Sequence, residues 1–451
     1  MHKANKQALV LGGSIAGLLA ARVLSQHFDQ VTLIERDALT EGADSRKGAP
    51  QGRHIHALLA KGYLTLLTLF PNFKNDLLAA GAVICDIAND VYWYQGGGYS
   101  VNFQSGVDAV FISRPALEQL IRQRVLALPN VTLRAGCAVT DATISADRQQ
   151  VTGVTVQDRQ TNQTETLVAD LVVDATGRGS ALLKWLTNWG YATPSESVVE
   201  VGVSYATRTY RRTVPDDQAK AWLSVPVAPL ETRGGGVFPI EGERWLVTLS
   251  GYRGDAAPTD EASFVDYARS LPAQEIYELI KNAEPLSPIA PYQYPASRRR
   301  HYEQLTRFPA NLIALGDAVA SFNPIYGQGM TVCALEALAL DEWLRAAVQS
   351  QQAPDTIRFF QAIGKVLDTP WTLATSADTV KERPNLLDRY FDRLKKVSLH
   401  DPVVKLAFMQ VAQLLLPPSA LVQPKIALRV LLGGWPRGQK AQNLKTAWQG
   451  G

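Results

Sequence analysis

Three apolar runs, 8–11, 171–173 and 312–315, each stop at a glycine-bearing turn, and this constrains the fold more than any other feature of the chain. A short apolar run cut off by glycine reads as a buried strand of a parallel sheet. After the first run come Gly12-Gly13-Ser14-Ile15-Ala16-Gly17, a helical pattern over 18–28 and a second strand over 31–34. Strand, tight turn, helix, strand is the opening unit of a doubly wound α/β fold. The predicted class is therefore α/β, with a Rossmann-like first unit to which the later two runs return.

Between these runs the pattern changes. Residues 37–52 turn polar and glycine-rich, which predicts a loop, and a helix is expected over 56–70. Short strands broken by three glycines are expected over 82–112. Pro115 then opens a helix in its first turn, where a missing amide costs nothing. Strands are predicted over 131–139, 141–145, 151–157 and 164–168, and strand-like alternation with many prolines runs through 198–294. Everything beyond Gly329 reads as helix. This gives a three-part Rossmann-like domain (1–81, 113–190, 301–345), an inserted sheet-rich substrate domain (82–112 with 191–300) and a C-terminal helical region (346–451).

Each glycine turn carries its own chemistry. In the first, Gly12, Gly13, Ala16 and Gly17 let backbone amides at a helix N-terminus face a pyrophosphate, where the helix dipole favours negative charge. Glu35, at the end of the next strand, suits ribose hydroxyls. Ser14 stands where a middle glycine is usual and adds a hydroxyl donor. The second turn is Asp174-Ala175-Thr176-Gly177, at the strand end where open α/β sheets bind ligands. The third is Gly316-Asp317-Ala318, followed by Asn323-Pro324-Ile325-Tyr326-Gly327-Gln328-Gly329-Met330. There a carboxylate can bind polyol hydroxyls, and a helix start near Met330 can stabilise negative charge on a conjugated ring. This third segment is the most specific of the three.

Together, Gly12 to Gly17 with Glu35-Arg36, the Asp-Ala-Thr-Gly segment, and Gly-Asp-Ala followed by Pro-x-x-Gly-Gln-Gly resemble the p-hydroxybenzoate hydroxylase-like FAD superfamily. With Pro50-Gln51-Gly52-Arg53-His54-Ile55-His56-Ala57-Leu58-Leu59, Ser113-Arg114-Pro115 and Phe238-Pro239, the chain is similar to the branch of bacterial polyether epoxidases and squalene epoxidase-like flavoproteins. The resemblance implies a glutathione reductase-type FAD-binding domain. It places Glu35 and Arg36 at the adenosine end, Arg114 near the ribityl phosphate and Arg53 in a loop beside the flavin. Thr176 and Gly177 would lie at the second turn, Gly316 and Asp317 at the ribityl chain, and Pro324, Gly327, Gln328, Gly329 and Met330 against the flavin ring. It further implies a monooxygenase, epoxidase or hydroxylase, acting through a flavin hydroperoxide on a lipophilic olefinic or aromatic molecule and using dioxygen. Thr176 replaces the usual Asp of the second turn, as in reductases and halogenases of the superfamily. A geranylgeranyl reductase-like or halogenase-like enzyme is thus an alternative, although no Trp-x-Trp-x-Ile-Pro segment is present. A cofactor-free carrier on the same architecture is the non-enzyme alternative. No second glycine-rich unit for a nicotinamide is visible, so electrons are expected from NAD(P)H docking transiently or from a separate flavin or flavoprotein reductase.

Tyr92, Trp93, Tyr94 and Phe238 are candidates for an apolar substrate pocket, with Trp222 and Trp245 as further aromatics, although core packing is the default for most of them. His54 and His56 read as loop hydrogen-bonding residues. The 45 basic and 42 acidic residues are interspersed, for a net charge of +3, which predicts no nucleic-acid partner. Arg298, Arg299 and Arg300 read as a solvated face. Cys85, Cys137 and Cys333 form no close pair and no metal-ligand spacing, which fits a reducing cytoplasm. No signal peptide and no apolar stretch near the roughly 18 residues of a spanning helix is seen, so membrane contact is at most peripheral. Apolar residues over 414–418 and 426–432 read first as core packing, with a cap over the substrate cleft that touches a membrane as the alternative.

Overall fold

The computed structural model describes residues 5–39, 42, 46, 48, 50–215, 220–227, 231–379 and 385–433. Parts of the loop expected over 37–52 and the end of the helical region, 434–451, lie outside them.

The three apolar runs become neighbouring strands of one parallel sheet, in the order Leu312–Ala314, Leu171–Asp174, Gln7–Leu11, Gln30–Glu35, Val131–Ala135. Strands two and three of that order are almost wholly buried, as a sheet covered on both faces requires. The Ile15–Leu24, Arg114–Leu126 and Gln328–Ser350 helices cover it. Ser113 caps the second of these by accepting from the Ala116 amide, with Pro115 in the first turn.

A β-meander of Cys137–Ile144, Val151–Asp158 and Thr164–Val168 follows the fifth strand. Two expected strands, 131–139 and 141–145, are divided differently. The break falls at Gly136, whose φ of +72° turns the chain, and 140 sits in a bulge within one continuous strand. The helix expected over 56–70 forms only as Ala60–Leu69, and Leu58 instead bridges to Val110.

The second layer is an eight-stranded sheet ordered Ala320–Ser321, Ala290–Arg300, Glu196–Arg211, Arg244–Tyr252, Arg233–Ile240, Ala221–Ser224, Val91–Gln95, Gly98–Tyr99. One face packs on the Glu261–Arg269 and Gln274–Ile280 helices through Trp245, Val247, Leu249 and Phe264. The other face looks toward the parallel sheet.

The arginine run departs from expectation. Arg299 and Arg300 are buried, and only Arg298 is exposed. Arg299 pairs with Asp368 at 2.8 Å and Glu303 at 2.9 Å, and Arg300 pairs with Glu196 at 3.0 Å. Their strand is covered by the Thr356–Asp378 helix, and the charges survive burial because each finds a carboxylate.

That helix docks on the Tyr302–Gln304 turn through rings. Phe360, fully buried, stacks on Tyr302 at 4.8 Å and meets Phe308 edge-on at 4.9 Å. The Leu386–Ser398, Pro402–Ala412 and Pro424–Leu431 helices form a further cluster of their own. Gln413 anchors this cluster to the first unit: its side chain accepts from the Ala60 amide at 2.8 Å and its carbonyl from the Lys61 amide at 3.2 Å. Phe360→Ala is expected to destabilise the protein by about 3–5 kcal/mol, measured by chemical denaturation. A loss below 1 kcal/mol would contradict this docking.

Candidate functional site

The carboxyl ends of the first, second and third apolar runs meet at one place. Leu315 N donates to Asp174 O at 2.9 Å, and Ala175 N donates to Leu11 O at 2.8 Å, so the three turns start level with one another. Asp174, sealed from solvent, accepts from Thr176 N at 2.9 Å, from the Thr176 hydroxyl and from the Ser180 hydroxyl. The carboxylate therefore shapes the turn that presents Thr176 and Gly177.

Glycine is required where these turns touch. A Cβ on Gly12, at φ +103°, would lie 2.5 Å from Ala175 O, and one on Gly17 would lie 1.8 Å from Gly12 O. A Cβ on Gly316 would meet the Ala16 Cβ at 2.8 Å, so the third turn locks onto the first.

Glu35 is buried at the end of its strand. It accepts from Gly13 N at 2.7 Å and from Asp37 N at 2.9 Å, and pairs with Arg46 at 2.9 Å. Arg36, next to it, points to solvent. Ser14 has a specific place: its hydroxyl donates to Glu118 at 2.7 Å and accepts from Arg114 Nη2 at 2.9 Å. Arg46 also grips Glu118 at 2.8 Å. Burial pushes the Glu118 carboxyl up, but Arg114 and Arg46 together hold it below the usual range. The serine that departs from the glycine pattern is thus built into a buried ion network.

Asp317 is exposed although both its neighbours are buried. Desolvation by the surrounding protein raises its carboxyl, against the pull of Arg114 and Arg178. Beneath it, Glu336 is fully buried and accepts from Gly316 N at 2.7 Å. Burial, with the negative charge of Asp317 nearby, pushes its carboxyl up to about 8, and its second oxygen has no hydrogen-bond partner among the described residues.

The glycine loop after Asp317 is pinned from two sides. Asn323, buried, accepts from Ile325 N and from the Tyr205 hydroxyl at 2.9 Å, and donates to Asp378 at 2.9 Å. Tyr326 donates to the same Asp378 oxygen at 2.6 Å. Burial raises the Asp378 carboxyl despite these bonds. Pro324 begins the short turn, and Gly327 adopts φ +63° against Ala57, where a Cβ would clash at 2.6 Å. Gln328 and Met330 are buried, whereas a Cβ on Gly329 would face open space. Arg53 is exposed on the turn before His54.

The sheet divides the four aromatic candidates between its faces. Tyr92 stacks on Trp222 at 5.7 Å and Tyr94 meets Tyr99 edge-on at 5.2 Å, in the layer covered by the two helices. Trp93, one residue out of phase and in register with Leu223, shares the opposite face with Phe238, which packs on Phe111 at 4.7 Å. A second aromatic group was missed: Tyr205, Tyr252, Tyr292 and Tyr294 cluster on neighbouring strands beside Asn323 and Arg178, whose guanidinium sits 4.8 Å from the Tyr294 ring. The alternation of Tyr292 and Tyr294 could have revealed it. Asp378 had no local signal, because a long helix delivers it.

A flavin dinucleotide fits this donor set. Gly12 and Gly17 leave no room for side chains, Gly329 faces open space at a helix start, and Arg114 Nε and Gln328 Oε1 are buried without hydrogen-bond partners among the described residues.

Residues 7–223 match the sequence profile of the FAD dependent oxidoreductase family. Protein Rv3254 of Mycobacterium tuberculosis is 36% identical over 382 residues, spanning 82% of this chain and 80% of that protein. A flavoprotein/dehydrogenase from Cytophaga hutchinsonii superposes with TM-score 0.70 at 15% identity, covering 95% of this chain and 99% of the other. PqsL of Pseudomonas aeruginosa, described as a probable FAD-dependent monooxygenase, superposes with TM-score 0.61 at 19% identity, covering 83% and 96%. At such identities these two structures speak for the fold alone.

Two outcomes follow from the site. Asp317→Ala should lower FAD occupancy sharply while thermal unfolding stays cooperative; normal flavin absorbance in the purified variant would refute the role of the third turn. Glu336 keeps its proton to about pH 8 in the folded protein but would release it near 4.5 when unfolded. Stability from this group is therefore lost as pH rises through that window, by on the order of 1.4 kcal/mol per pH unit at the steepest. Glu336→Gln should raise Tm relative to the parent at pH 8 and match it near pH 4.5; parallel pH profiles for the two proteins would refute this.

Proposed function

Since the chain belongs to the FAD dependent oxidoreductase family, we propose that it is an FAD-dependent monooxygenase, an epoxidase or hydroxylase acting on a lipophilic olefinic or aromatic small molecule. FAD, when bound, supplies the redox chemistry and the activation of dioxygen. The chain's own residues bind and orient it. Glu35 takes the adenosine ribose, and the helix N-terminus that follows Ser14, with Arg114 held by Ser14 and Glu118, takes the pyrophosphate. Asp317 takes a ribityl hydroxyl, and the amides of residues 327–330 take the polar edge of the ring.

The observation that carries the substrate class is the apolar layer between the sheet face and the Pro402–Ala412 helix. Phe103, Phe111, Leu223, Phe238, Leu406 and Met409 pack there, with Ile55 of the segment beside the glycine loop. The buried Lys405 of the same helix turns its ammonium to backbone carbonyls, bonding Val101 O at 2.6 Å. A layer of this composition excludes water, which suits oxygen transfer to an electron-rich double bond or ring. Thr176 in the second turn favours a reductase or halogenase as the second reading.

Electrons would come from NAD(P)H docking transiently or from a separate flavin or flavoprotein reductase. Rapid reduction of the bound flavin by NADPH alone, in stopped flow, would decide for direct docking. Among the described residues no helix is long and apolar enough to cross a membrane. We place the enzyme in the cytoplasm, with membrane contact no more than peripheral. The deciding experiment incubates FAD-loaded protein, NADPH and isotopically labelled dioxygen with a panel of lipophilic olefins and aromatics. A product heavier by one labelled oxygen is expected; a saturated or halogenated product without label would overturn the monooxygenase reading.

A further inference from the structure

His54 lies in the extended stretch between the Pro50–Arg53 turn and the Ala60–Leu69 helix, and it is almost fully buried. Its Nδ1 is 2.8 Å from Thr207 Oγ1, which is 2.6 Å from Thr248 Oγ1, which accepts from Ile55 N at 3.2 Å. All three side chains are shielded from solvent.

The direction of this chain follows from its far end. A backbone N–H can only donate, so Thr248 accepts there. The Thr248 proton then goes to Thr207, and the Thr207 proton goes to His54 Nδ1. The reverse order would leave the Thr248 proton with no acceptor among the described residues, in a place where buried polar groups are paired. Nδ1 is therefore an acceptor, and the ring proton sits on Nε2. The charges facing the ring agree with a neutral imidazole. Burial first, and Arg53 second, push its pKa down to about 4, and the neighbouring His56 is also held low by burial and by Arg114. The rings packed on it belong to Tyr292, at 5.2 Å, and Tyr205, at 6.3 Å. Among the described residues no carboxylate bonds it.

Nε2 makes no hydrogen bond to a described residue. Its surroundings are those of the third glycine turn: Tyr205 bonds Asn323, Tyr292 lies in the field of Arg178 and Asp317, and Ala57, three residues on, fills the contact with Gly327. The donor thus stands between the tyrosine-bearing sheet face and the loop that starts the Gln328–Ser350 helix.

We propose that His54 is a fixed neutral donor whose Nε2–H hydrogen-bonds an acceptor atom of the bound flavin ring, with Thr207 and Thr248 setting its tautomer. The assignment rests on FAD binding and not on oxygen transfer. His54 orients the ring, and its donor favours the extra negative charge of the reduced form. Thr207 and Thr248 are positioning residues that act through it.

The test uses the full chain with nitrogen-labelled histidine, observed by NMR before and after loading with FAD, with His54→Gln identifying the signal. The expected result is an Nε2–H tautomer that does not titrate between about pH 5.5 and 8, and an Nε2 signal that moves when FAD binds. His54→Leu should weaken FAD binding about three- to tenfold and shift the flavin absorption band, with His54→Gln recovering part of both. Thr207→Val should release the tautomer and Thr207→Ser should restore it, which separates the relay from a folding defect. An Nδ1–H tautomer, titration near the ordinary imidazole value, or an Nε2 signal indifferent to FAD would overturn the proposal. Unlabelled products with an intact flavin spectrum and the expected tautomer would be a failure of the monooxygenase reading alone.

Discussion

The buried carboxylate of Asp174 holds the site together. It closes the second turn on itself, while its own residue's carbonyl receives the strand that carries Asp317. An ionisable group is tolerated in the middle of a parallel sheet only because each oxygen is satisfied by the turn it shapes. From that point the glycines at 12, 17 and 316 determine how closely the turns approach, and any side chain there would separate them. The eight-stranded sheet then needs only to lie over this junction, which the bond from Tyr205 to Asn323 secures.

Two carboxyls flank the junction in opposite states. Glu118 is buried among guanidinium groups and stays charged, whereas Glu336 is buried beside a backbone amide and holds its proton. The difference lies in partners and not in depth, as expected when desolvation and nearby charge compete. The charged one braces the arginines around Ser14. The neutral one supports Gly316 without adding a second negative charge under Asp317.

The turns were legible in the sequence because their chemistry is local: strand, glycine and helix start lie within one short stretch. Ser14 read only as a departure from the glycine pattern, since Glu118 and Arg114 reach it only through folding. The aromatic candidates Tyr92, Trp93 and Tyr94 are consecutive, and a strand must send consecutive residues to opposite faces, so they could not all line one pocket. The tyrosines that do gather by the glycine loop come from three strands far apart in the chain. Arg299 and Arg300 read as surface because their carboxylate partners include Asp368 and Glu196, well away in sequence. His54 was visible, but its role depended on Thr207 and Thr248, which no spacing rule connects to it.

The order of strands has a consequence during synthesis. The parallel sheet is closed on one side by Leu312–Ala314, and the long sheet recruits strands from residue 91 to residue 321. A chain emerging from the ribosome must therefore hold the Leu171–Asp174 strand with one edge unpaired until Leu312–Ala314 is made, a feature of slow-folding, non-local topologies.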